Sequence, residues 1–80
     1  KSQTAVLTIA AADGEYHTNL LKISGTFGAI KTTGVDLELR TGVTVNQRLD
    51  IVSATVQAFR GATIGKTGKG YEAICTVKDG

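Results

Sequence analysis

Proline, methionine and tryptophan are absent from this 80-residue chain, which has one cysteine, one histidine, two tyrosines and two phenylalanines. Each shortage excludes something. One thiol cannot form an internal disulfide, so Cys75 reads as a small core residue and no covalent staple supports the fold. A catalytic thiol would need an exposed, electropositive setting and a base, and His17 could reach Cys75 only through the fold. Tyr16, Phe27, Phe59 and Tyr71 are too few to interleave with cations as a base-stacking platform for single-stranded nucleic acid. No apolar run approaches the roughly 18–20 residues of a membrane-spanning helix. Without proline, the edges of any sheet lack one of the usual guards against pairing with another chain. Lacking methionine and beginning with Lys1, the chain reads as a processed product or a fragment, and a processed end would favour secretion.

What is present is a balanced composition, with 41% apolar and 20% charged residues and a formal net charge of +2. That describes one globular domain over residues 1–80, with a modest core and little stability to spare. Its most patterned stretch runs from Thr44 to Gly61. There Leu49, Val52, Val56 and Phe59 recur at helical spacing, Thr44 and Gln47 have the spacing of a capping box, and Gly61 follows Arg60 as a left-handed stop. The pattern predicts a helix lying on a sheet.

The rest is sheet-forming. Thr4–Ala12 reads as a central strand ending at Asp13-Gly14, a turn signal. Residues 17–25 fit a short helix better than the return strand of a hairpin. Phe27–Thr32 and Val35–Arg40 read as strands, the latter with Val35, Leu37 and Leu39 inward and Asp36, Glu38 and Arg40 outward. Ala62–Ile64 is a short strand, Gly65–Gly70 a flexible hairpin tip, and Tyr71–Lys78 the last strand. The expected fold is α+β: an antiparallel sheet with helices on one face in split-βαβ, ferredoxin-like order, plus an extra C-terminal hairpin strand. No internal repeat is visible.

Few constellations suggest chemistry. Gly65-Lys66-Thr67 has the ending of a phosphate-binding loop, but Arg60 stands where its first glycine belongs and a strand follows in place of a helix. Asp13, Glu15 and His17 alternate, yet on a turn they read as a solvated loop, so no metal or other cofactor is expected. Asp36 and Glu38 read as a solvated strand face. The chain is therefore expected to be a non-enzymatic interaction protein that binds another chain, as a homo- or hetero-oligomer, such as one half of a small secreted toxin or inhibitor. The contact is expected on the last strand, at Tyr71, Glu72, Ile74 and Thr76, because Ile74 falls on that strand's polar side. The alternative is a nucleic-acid or polyanion binder using Arg60, Lys66 and Lys69 on a glycine-rich loop, with Lys22 or Arg48 adding to the surface.

Overall fold

A computed structural model describes residues 5–79. The elements are β1 (Val6–Ala10), β2 (Leu20–Ile23), β3 (Thr26–Thr33), β4 (Asp36–Leu39), β5 (Thr44–Val52), β6 (Val56–Phe59), β7 (Thr63–Ile64), a single helical turn α1 (Tyr71–Ile74) and β8 (Cys75–Lys78). Odd-numbered strands form one sheet in the order β1-β3-β5-β7, and even-numbered strands a second in the order β2-β4-β6-β8. Every pairing is parallel. The chain therefore coils: each rung contributes one strand to each sheet and then drops onto the next, in a β-solenoid-like arrangement.

The repeat is set by register. Leu37 lies beside Val56 and Val56 beside Cys75, and the Thr41 hydroxyl donates to the Arg60 carbonyl at the same separation of 19 residues. Side chains consequently stack in columns. Leu37 and Val56 are fully buried, as are Ile30 and its neighbour Leu49. Alternation explains the columns, since a strand turns every second residue inward; β5 departs from it between Val45 and Leu49, where its register with β3 shifts. Thr32 is the one buried polar residue among those described, and its hydroxyl is satisfied by donating to the Val35 carbonyl at 2.6 Å.

Corners between the sheets need backbone that bends sharply. Gly34 (φ 76°) turns the second rung, and Ser53 (φ 52°) does so in the third. A left-handed conformation costs a non-glycine residue on the order of 1 kcal/mol, which the packing on either side of Ser53 must offset. In the first rung a longer corner takes its place, and its Tyr16 ring lies so close over Gly34 that a Cβ there would collide with it.

These findings overturn the α+β, ferredoxin-like expectation. No helix runs from Thr44 to Gly61: the stretch is β5, the Ser53 corner and β6. Its helical spacing arose from two strands in sequence, whose inward residues are in fact Val45, Leu49, Ile51, Val56 and Ala58. Thr44 pairs in the ladder instead of capping, its N–H donating to Gly25. Residues 17–25 contain β2, a parallel strand, and neither the expected helix nor a hairpin return. The expected last strand begins as α1 and becomes β8 only at Cys75. Thr4 of the expected first strand lies outside the described residues. An internal repeat of 19 residues, not expected, governs the later rungs, while the first rung is offset from the second by 23 residues in one sheet and 16 in the other.

Candidate functional site

The two ends of the stack carry the edge strands of both sheets, β1 and β2 at one end and β7 and β8 at the other. Within a column the central members have a neighbour above and below and are buried, whereas the two end members, each with one neighbour, differ. Ile23, Leu39, Ala58 and Val77 form one such column, and their exposures are 6%, 0%, 2% and 64%. By register Val77 follows the inward column; among the described residues nothing pairs with β8 on its far side, and unlike Ile23 at the other edge Val77 is left uncovered. Leu21 at the opposite end is similarly 42% exposed, while its neighbour Leu37 is at 0%. The described large apolar residues that are exposed, namely Val6, Tyr16, Leu20, Leu21 and Val77, all belong to the first or last rung. A contiguous apolar surface marks a contact site more often than isolated exposed residues do; Leu20 and Leu21 are adjacent on β2 in the first rung, while Val77 is the one exposed large apolar residue described in the last.

The C-terminal end is built from β7, α1 and β8. A hollow of about 300 Å³ opens there, with Ala58, Ile64, Tyr71 and Val77 supplying apolar wall and Arg60 and Lys66 polar wall. Around it the chain is closely fitted. Leu49 and Ile51 donate their N–H groups to Thr67 and Lys69 at 3.0 and 2.8 Å, so the glycine-rich segment continues the ladder as part of the fourth rung and is not a hairpin tip. Gly68 and Gly70 then follow the large residues Leu49 and Ile51, and a Cβ on either would run into the carbonyl above. Burial raises the pKa of the Tyr71 hydroxyl, the neighbouring Cys75 adding to the effect. Burial also pushes the Cys75 thiol up, although its hydrogen bond with Tyr71 acts the other way. A thiol held in its neutral form is a poor nucleophile.

The sequence-derived contact residues are only partly brought together. Tyr71 lines the hollow, Thr76 is exposed on β8, and Glu72 is exposed on α1. Ile74 is partly buried and packs on the core, because the helical turn breaks the strand alternation that placed it outward. Val77, and not Ile74, is the exposed large aliphatic residue of this segment. Of the three cations, Arg60 and Lys66 share the hollow, with Arg60 also paired to Asp79. Lys69 sits elsewhere, its backbone N–H donating to the Asp50 carboxylate at 2.6 Å. Asp50 also accepts from Arg48 at 2.9 Å. The Arg48 guanidinium first, and then the Lys69 N–H, hold its carboxyl below the usual range.

Asp13 and Glu15 do not converge with His17, which turns to Asp36 at 2.7 Å. The same Asp36 oxygen accepts the Thr55 N–H at 2.8 Å, so this carboxylate ties three rungs together. Glu38 is paired with Arg40 at 2.8 Å, and Arg40 also lies over the Phe59 ring. Among the described residues, no group of three potential ligands is placed to hold a metal ion, and no helix is long and apolar enough to cross a membrane. No family model, curated protein or solved structure matches the chain.

Proposed function

We propose that this protein is a non-enzymatic interaction module that binds another protein chain end-on, by adding that chain's strand to the open edge of β8. The observation that carries the reading is Val77, which follows an inward column by register yet is left 64% exposed beside a hollow with apolar and cationic walls. Strand addition to an open edge gives affinity through main-chain hydrogen bonds and specificity through alternate side chains, and Val77 with the hollow provides the pockets for the latter. The titratable groups favour binding over catalysis: His17 is engaged on the first rung, and the neutral thiol of Cys75 lies on the last.

The test is an extended peptide of alternating valine and threonine, titrated into labelled protein and followed by amide chemical shifts. Shifts should concentrate at Cys75–Lys78, and the same peptide N-methylated along its pairing edge should produce none. Uniform small shifts, or equal shifts from the N-methylated peptide, would overturn the reading.

Polyanion binding is supported by a separate observation. Lys31 pairs with Asp50 in the ladder, while Arg48 and Lys69 adjoin that carboxylate. One sheet face thus brings two cationic side chains, Lys31 and Arg48, to one acid, which Lys69 reaches through its backbone N–H. Binding of a polyanion such as heparin there would weaken steeply with salt as counterions are released, whereas strand addition to β8 would respond little.

A further inference from the structure

We infer that the chain addressed by this end is a second copy of the same protein, stacked head to tail so that the first rung of one copy continues the last rung of another. The inference rests on the end-on reading above and names its partner.

Strand direction comes first. Every strand pair in the molecule is parallel, so an end that continues the ladder calls for a strand of the same sense, with another strand beside it for the second sheet. The protein's own first rung supplies both. β2 and β8 are each four residues long, and they share one alternation: by register Leu21 and Ile23 follow the inward columns on β2, as Cys75 and Val77 do on β8. Register continued from β6 and β8 sets Leu21 on Cys75, Lys22 on Thr76 and Ile23 on Val77. No like charges oppose each other in that strand pair. On the other sheet the fit is one of size. The columns that begin with Leu7 and Ile9 pass through Ile30 and Thr32 to Leu49 and Ile51, and then reach Gly68 and Gly70. Large residues at one end therefore face glycines at the other.

The area is sufficient. Of the three extents, 32, 28 and 20 Å, the shortest suits four strands stacked roughly 4.8 Å apart. An ellipse on the longer two, 32 and 28 Å, covers about 700 Å² per copy, so a docked pair can bury up to about 1,400 Å², within the range of stable interfaces. The surfaces joined are different at each end, so the contact does not close on itself and builds linear stacks.

Sedimentation velocity of the whole chain over a wide concentration range tests this. Wild type should form a series of species that extends past the dimer as concentration rises. Leu21→Lys blocks one end and Val77→Lys the other; both residues are exposed, so each variant should keep the wild-type circular dichroism spectrum. If either loses it, the glutamine substitution at that position takes its place. Each variant alone should be monomeric, with association weakened at least ~30-fold, the scale of a hot-spot loss. Mixed in equal amounts, they should form a one-to-one dimer and nothing larger, since one good head and one good tail remain. Dimers of Leu21→Lys alone would show a two-fold contact between C-terminal ends and overturn the head-to-tail inference. A monomeric wild type that still takes up the valine–threonine peptide on β8 overturns self-stacking and leaves the end-on reading standing. Loss of both overturns both.

Discussion

Ile51 separates the coiled architecture from a helix over the same residues, because a helical stripe through Leu49, Val52, Val56 and Phe59 leaves Ile51 off its face. In the structure Ile51 is 3% exposed, with Thr32 on one side in its column and Gly70 on the other. Ile51→Ala removes three carbons, about 2.4 kcal/mol of transfer free energy at ~0.8 per buried methylene. A cavity adds to that where neighbours cannot collapse, and Gly70 has no side chain to move. The expected loss is about 3–4 kcal/mol, in the middle of the usual range. For a domain of this size the whole stability is roughly 4–12 kcal/mol, and each kcal/mol corresponds to ~4–8 °C in Tm. The variant should melt at least ~12 °C lower by circular dichroism. Val52→Ala, at a half-buried position outside the column, should cost about 1 kcal/mol or less. A loss below about 1 kcal/mol at Ile51, with Val52 the costlier site, would refute the inward assignment.

Glycine substitutions offer a comparison of steric and conformational costs. Gly42 and Gly68 both have positive φ, but a Cβ on Gly42 meets open space while one on Gly68 strikes the Leu49 backbone; Gly68→Ala should therefore be the more destabilising by urea denaturation. Asp50 should contribute pH-dependent stability. Its folded pKa is depressed, so the contribution is present above the unfolded carboxylate pKa and lost as pH falls through the folded value. The difference in urea midpoint between wild type and Asp50→Asn should accordingly be greatest near neutrality and shrink on acidification below the ordinary carboxylate range; a difference independent of pH would contradict the ion-pair account. Cys75 should react with iodoacetamide more slowly than a free thiol at mildly alkaline pH, because burial raises its pKa, and unfolding should restore the rate. Equal rates in the folded and unfolded protein would remove that assignment.

Alternation made several strands legible in the sequence. Leu37 and Leu39 face inward as expected, and Phe27–Thr32 lies within β3. Their arrangement was not legible, since alternation within one strand says nothing of the direction of its neighbour. A sheet with one polar face ordinarily indicates antiparallel pairing, and here it does not. The signal for coiling was long-range: Gly42-Val43-Thr44-Val45 recurs as Gly61-Ala62-Thr63-Ile64. Both segments follow a rung's second strand, and Thr44 lies beside Thr63 in the ladder. Ser53 concealed the corner in the misread helix, because serine gives no hint of the left-handed backbone that glycine announces at Gly34. At the candidate site, Tyr71 and Lys66 could be named from the sequence, whereas Val77 could not. By register it follows the inward column, but only the structure shows that it is left uncovered.

The central claim is the parallel ladder of coils, and nuclear Overhauser contacts in labelled protein test it most directly. The account predicts backbone contacts between Leu37 and Val56, between Gln57 and Thr76 and between Val45 and Ile64, each pair separated by 19 residues. A run of contacts three residues apart through Leu49–Phe59, or cross-strand contacts whose residue numbers rise on one strand as they fall on the other, would contradict it.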